Sequence, residues 1–391
     1  MKWTRTAATW VGVAVFFGCV SLAWACNVPV FRFALERWRP DPYRAVLFHR
    51  GPLSDSDREQ VQPLVEQQET GVANLAFRTV DVSQLDAESV DDAADAALFA
   101  AISTTDGEPA LPLLVVQYPA HLKIQKPVWT GAPGREALAQ LTDSPVRQQL
   151  ARRLAEGQTA VWLVLESGQS EQDNAAAALV EAEIKKLEQE LELPDLTDAP
   201  EDAIAAGAPL KIAFSVLRVR KDDAAEQALV AMLIGSESDL AERTDPMVFP
   251  VFGRGRALWA LIGPGITAKN IHDSAGFLVG PCSCEVKELN PGFDLLLSAN
   301  WDELLSQGGI PLTASQTKLT VPPADAELVP ISSGTAPKIV TYQAPVVVER
   351  SLLPTFLIGR KVWIGILVVV GLLFVAVVVG LSQSRGREAQ P

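Results

Sequence analysis

The sequence predicts an α/β protein in which the order βαβαββα occurs twice, followed by a Pro-rich stalk and one C-terminal transmembrane helix. Three observations predict it. Short apolar runs alternate with helical patterns across residues 43–280, and the third strand of each set is led by a proline, Pro112 or Pro246. Val362 to Leu381 is an uncharged apolar run, which at 1.5 Å rise per residue spans the roughly 30 Å hydrocarbon core of a bilayer.

The two ends set the topology. Lys2 and Arg5 precede the uncharged stretch Ala7 to Leu22, and Ala23-Trp24-Ala25 offers small residues where signal peptidase reads. Residues 1–25 are therefore expected to be a signal peptide, with Cys26 as the first mature residue. A cysteine at that position is also a candidate for lipidation, although Ala23 stands where a lipobox favours leucine. Arg360 and Lys361 before the apolar run are nearly balanced by Arg385 and Arg387 after it, so export rather than flanking charge decides the orientation. Residues 26–360 are expected outside the cytoplasm whether or not the signal is cleaved. The expected organisation is a first domain at 26–157 with an N-terminal helix and a second at 158–309. A stalk at 310–360, a cell-membrane anchor at 361–381 and a cytoplasmic tail at 382–391 complete it.

Composition narrows the functional classes. Thirty-three Lys and Arg against 47 Asp and Glu give a net charge of −14, which argues against a nucleic-acid partner. Of 4 cysteines, Cys19 lies in the signal, leaving Cys26, Cys282 and Cys284. Three thiols are no disulfide framework, so packing must hold the fold.

Element by element, Pro29 to Trp38 reads as an amphipathic helix with Phe31, Ala34, Leu35 and Trp38 on one face. Tyr43 to His49 is a strand, and Ser54 caps a helix to Glu69 that Pro63 is expected to kink or shorten. Leu75 to Val82 alternates as a strand, Asp91 to Ile102 is an alanine-rich helix, and Leu113 to Tyr118 is a central strand. A second short strand, Lys126 to Thr130, follows closely, and a helix with one proline interruption runs to about Glu156.

The order then recurs. It runs through strand Ala160 to Glu166, helix Ser170 to Glu192, strand Lys211 to Val219, helix Ala224 to Ile234, strand Met247 to Phe252, hairpin partner Ala257 to Ile262 and helix Thr267 to Leu278. Trp129 before Gly131 and Trp259 before Gly263 sit near the same place in each set, with a period of about 130 residues there and about 115 at the first strands. From Pro311 onward, Pro322-Pro323, Ser332-Ser333-Gly334, Pro337 and Pro345 mark the stalk.

This order, with its proline-led third strand, resembles the thioredoxin-like fold over residues 43–156 and again over 160–280. In that family a Cys-x-x-Cys at the end of the first strand opens the first core helix. Here Phe48 to Pro52 and Glu166 to Ser170 occupy those stretches without a cysteine. Pro112 and Pro246 match the proline that is cis in the family. The resemblance implies a fold, and the missing motif removes the support for the usual oxidoreductase activity.

Candidate chemistry concentrates in Gly280-Pro-Cys-Ser-Cys-Glu-Val-Lys287. As a strand it would turn Cys282, Cys284 and Val286 to the core and Ser283, Glu285 and Lys287 to water. As a tight turn it would hold a strained, reducible Cys282–Cys284 disulfide. As a soft-metal site it would need Cys26 or His272 as a further ligand, at a spacing unlike zinc motifs. Phe252-Gly-Arg-Gly-Arg256 lacks the remainder of a P-loop or dinucleotide fingerprint and reads as a hairpin turn with Arg254 and Arg256 solvated. His49, near Asp55 and Asp57, and His121 read as surface residues. Glu181, Lys185, Glu188 and Glu192 read as a solvated helix face. No cofactor, resident metal or catalytic constellation is indicated. The expected role is a non-enzymatic module meeting another envelope protein; the alternative is thiol–disulfide or soft-metal handling through Cys282 and Cys284.

Overall fold

The computed structural model describes residues 27–86, 89, 92–103, 107–196, 204, 210–282 and 287–307. The expected signal peptide, stalk, transmembrane helix and cytoplasmic tail lie outside the described residues, as do Cys26 and Cys284. No described helix is long and apolar enough to cross a membrane. The described residues belong to one compact unit, a mixed α/β structure with two sheets.

After helix α1 (Val30–Arg37), the first half runs β1 (Tyr43–His49), α2 (Asp55–Thr70), β2 (Leu75–Asp81), α3 (Ala93–Ser103), β3 (Leu113–Gln117), β4 (Trp129–Gly131), α4 (Arg135–Thr142) and α5 (Pro145–Ala155). Its sheet has the order β2-β1-β3-β4. β1 and β2 are parallel from Tyr43↔Leu75, while β3 runs antiparallel to β1 and β4 antiparallel to β3. The second half runs β5 (Ala160–Glu166), α6 (Ser170–Glu190), β6 (Phe214–Arg220), α7 (Gln227–Ile234), β7 (Met247–Phe252), β8 (Arg256–Ala257), β9 (Leu261–Ile262) and α8 (Ala268–Val279). Next come β10 (Phe293–Asp294) and α9 (Trp301–Gln307). Its sheet, β10-β8-β7-β5-β6 with β9 also on β7, repeats the strand order of the first and adds β10 at the edge.

Alternation within the strands builds the layers. In β5, Val161, Leu163 and Leu165 face one way and Trp162 and Val164 the other, all fully buried, as a strand covered on both faces requires. The first face shares one core with Tyr43, Ala45 and Leu47 of β1 and with α2, α4, α5 and α7, which therefore lie between the sheets. Trp162 and Val164 pack under α1, α6 and α8. On the outer face of the first sheet, Val46, Phe48 and Val115 pack under Leu98 of α3.

Local chemistry sets the helix ends. Ser54 Oγ accepts from the Asp57 amide at 3.1 Å, Ser144 caps α5 with Pro145 in its first turn, and Thr267 caps α8. Gly71 takes a left-handed conformation after α2. Pro63 does not shorten α2: the helix runs from Asp55 to Thr70 with the proline inside it. Pro63 removes the bond to the Glu59 carbonyl, and Glu59 is exposed, where water can replace it. Of the two proline-led third strands, Leu111–Pro112 is cis and Asp245–Pro246 is trans.

One edge strand of each sheet, β2 and β6, is met by side chains. The Phe77 amide on β2 donates to Gln68 of α2, and the Phe214 amide on β6 donates to Glu188 of α6 at 2.7 Å. Arg153 donates to the Val216 carbonyl at 3.0 Å. These three backbone groups are thereby withheld from pairing with another strand.

The ends of the described chain cross over. Helix α1 packs on α8 and β7 of the second half, although its sequence precedes the first. The segment after β10 returns to the first half, where Ser298 bridges Ala73 and the Asn74 side chain bonds the backbone of Leu295 and Leu297.

Candidate functional site

The two loops that follow β1 and β5 occupy the same place in their sheets, between the first strand and the helix after it. In the first, Gly51 turns at φ +66° and its amide donates to Asp81 at the end of β2 at 3.1 Å. The same carboxylate accepts from the Ser83 amide at 3.0 Å and the Ser83 hydroxyl at 2.7 Å. The bonds from Ser83, against a small burial penalty and with help from Gly51 and His49, hold Asp81 at a pKa of about 2. His49 Nδ1 lies 2.7 Å from the Gly51 carbonyl, so its ring braces this turn. Asp57, which its sequence position sets near His49, instead bonds Ser54 at 2.6 Å.

In the second loop Gly168 turns at φ +92°. Asp173 in the first turn of α6, only 3% exposed, accepts from the Ser167 amide at 2.7 Å, the Ser167 hydroxyl at 2.8 Å and the Gly168 amide at 3.0 Å. A carboxylate from a neighbouring element therefore fills each loop. The Gly51, Ser167 and Gly168 amides are therefore bonded to a carboxylate and not open to an anion.

Beside the second loop is a cleft of about 560 Å³, in which the charges pair among themselves. Arg218 bonds Glu166 and Asn174, Arg220 bonds Asp222, and Lys221 donates to the Arg243 carbonyl at 3.2 Å. Burial lowers the pKa of Lys221, against the attraction of Asp173 and Asp245.

The strongest concentration of buried charge lies where the chain ends cross. Lys287 Nζ sits 2.9 Å from Asp41 Oδ1 and also donates to Asp294 and to the Arg39 carbonyl. Arg256 lies 3.3 Å from Asp294 and 3.9 Å from Asp41, and donates to the Asn290 carbonyl at 2.9 Å. The Asp41 amide donates to Asp294 at 2.6 Å, and Tyr43 Oη to the Asp294 carbonyl at 2.8 Å. Burial pushes the Asp294 carboxyl up against the pull of Lys287 and Arg256. At Asp41 burial also works upward, but the hydrogen bond and charge of Lys287 prevail and hold its carboxyl low. His121 Nε2, 3.6 Å from Asp41, stands at the mouth of an adjoining cleft. This arrangement joins segments and its charged groups answer one another, while Asp41 also lines the adjoining cleft.

Three expectations are corrected here. Lys287 is 8% exposed, not directed to water, because Asp41 and Asp294 converge on it from segments distant in sequence. Arg256 is 3% exposed for the same reason. Arg254 donates to the Leu35 carbonyl at 2.8 Å and the Glu36 carbonyl at 3.2 Å, taking up the last turn of α1 instead of standing in solvent. The hairpin itself forms, with Gly253 and Gly255 at positive φ.

Cys282 is 1% exposed and packs in the core beneath α8, its amide donating to the Val28 carbonyl at 2.9 Å. The partners weighed for it, Cys284 and Cys26, lie outside the described residues, and His272 is exposed beside Asp273. Among the described residues no group of three metal-ligating side chains converges. The roles of Asp41, Asp81, Asp173 and Asp294 were not foreseen from the sequence; only Asp173, an acid in a first helical turn, carried a local signal.

No protein-family model matches the chain, and no curated protein matches its sequence.

Proposed function

We propose that this chain is a membrane-tethered, extracytoplasmic protein-interaction module without enzymatic activity, built from two tandem thioredoxin-like units. The shared strand order of the two sheets supports the fold reading. One observation carries the functional reading: Asp81 and Asp173 fill both loops where the resembled family places its cysteines. A loop whose amides are bonded to a resident carboxylate, with no thiol in it, retains the scaffold and gives up the exchange chemistry. The export signal and the apolar run at 362–381 would present this scaffold outside the cytoplasm, with an envelope protein as its partner. The burial of Cys282 gives the thiol-handling alternative no support.

The test uses the full chain in detergent. Reduction of insulin disulfides by dithiothreitol should proceed at its uncatalysed rate with the chain present. In-cell crosslinking should yield a discrete envelope-protein adduct that survives Cys282→Ala. Accelerated reduction that is lost in Cys282→Ala would sink the reading.

A further inference from the structure

We propose that the cleft at the start of β1 and β2 binds a carboxylate carried on an apolar body, held by the guanidinium groups of Arg44 and Arg78. The cleft measures about 460 Å³, room enough for a small organic acid, and Pro42, Phe77 and Pro119 give it an apolar wall. It lies at the opposite end of β1 from the Gly51 turn, and no residue of the loops after β1 and β5 lines it.

Strand register sets the two arginines side by side. β1 and β2 pair as Arg44↔Ala76 and Val46↔Arg78, and successive side chains alternate, so Arg44, Ala76 and Arg78 share the outer face with Val46. Further along that face, α3 covers Val46 and Phe48. Its first turn delivers Asp95, wholly buried, to both arginines: Arg44 bonds one carboxylate oxygen, and Arg78 Nη2 lies 2.8 Å from the other. Arg44 also donates to Gln117 of β3 at 3.2 Å.

Charge decides what the cleft takes. One arginine would neutralise Asp95; the second leaves a positive charge in excess, in a chain whose net charge is −14. The Arg78 side chain is 45% exposed and that of Arg44 31%, so both keep donors within reach of a ligand. Asp41, the acid that lines the cleft, is already answered by Lys287 at 2.9 Å and Arg256 at 3.9 Å. A planar carboxylate matches the paired donors of a guanidinium, and the apolar wall favours an acid with a hydrocarbon or aromatic substituent over inorganic phosphate. A free organic acid and the C-terminus of a peptide both present that chemistry. The inference depends on neither membrane tethering nor the partner-binding reading.

The test titrates the full-length chain in detergent with phenylacetate, N-acetylphenylalanine and N-acetylphenylalanine amide, read by saturation-transfer NMR. Both acids should bind with dissociation constants of roughly 1 mM or tighter, and the amide about tenfold more weakly or worse. Tighter binding of phenylacetate would assign the site to a free acid, and tighter binding of N-acetylphenylalanine to a chain end. Arg78→Gln should weaken both acids about tenfold. Ala76 is exposed beside both arginines, so Ala76→Glu should abolish binding by placing a carboxylate there without touching the core. The same variant measures uptake of the probes by the micelles. It keeps the test decisive should Arg78→Gln, which strips a counter-charge from buried Asp95, fail to fold. Equal binding of acids and amide, an undiminished signal with Ala76→Glu, or no binding of either acid at about 10 mM would each overturn the proposal.

Discussion

Lys287 and Asp41, 246 positions apart by subtraction of their numbers, meet at 2.9 Å inside the protein, and Asp294 shares the same ammonium. One cation thus ties the segment before β1 to the segment after α8. Lys287→Met would leave two carboxylates facing each other without their main counter-charge. The expected loss is about 3–5 kcal/mol in urea unfolding, the usual cost of breaking a buried pair from one side. Adding Asp294→Asn should recover a large part of it. A loss under about 1 kcal/mol in the single variant would mean that the ammonium contributes only as a surface ion pair does.

Asp81 predicts a pH dependence. Its pKa is lowered from 3.8 to about 2, so the ionised form favours the fold. That contribution is whole above the unfolded value and disappears as pH falls through about 2. The stability gap between the wild type and Asp81→Asn should be constant near neutral pH and shrink across roughly pH 4 to 2. A gap that widened on acidification would contradict the assigned hydrogen bonds from Ser83 and Gly51.

Asp173→Ala removes the acceptor for two amides and a hydroxyl at once. Stability should fall by about 2–3 kcal/mol, and the Ser167 and Gly168 amides should lose hydrogen-exchange protection before those of β5. Unchanged protection at those two amides would show that the loop is held by something other than this carboxylate.

Gly292 turns at φ +102°, and a Cβ there would lie 2.3 Å from the Ala257 carbonyl oxygen. Gly292→Ala must therefore move the backbone of β8 or β10, and a loss of about 3 kcal/mol or more is expected. A Cβ on Gly265 would meet nothing within 4 Å, so Gly265→Ala is the matched control, with a change near ±0.5 kcal/mol. Equal thermal midpoints for the two variants would refute the close approach of Gly292 to β8.

The strand and helix order was legible because its signals are local. Alternation in Leu75 to Asp81, the apolar run of β5 and Ser54 as a cap each act within a few residues. The single proline-interrupted helix expected up to Glu156 is instead two helices, α4 and α5. Pro63 does not end α2 because proline's cost depends on what faces the lost bond, and there it is solvent.

The candidate loops were legible as positions and not as chemistry. Glu166 to Ser170 could be placed after a strand from sequence alone, but the role of Asp173 depends on how the chain folds back over that turn. Asp81 illustrates the same point in the first half, since parallel pairing of β1 with β2 is what brings its carboxylate to Gly51.

By itself the sequence determined an α/β chain with a repeated strand order and a core able to bury both faces of its central strands. Residue spacing along one element decides those features. Only the tertiary structure decided that α1 lies on the second half, that Arg254 takes up its last carbonyls, and that Lys287 is buried between Asp41 and Asp294. A charge reads as solvated until a distant segment supplies its counter-charge, and which segments meet is set by how the ends of the chain cross, a property of no local stretch.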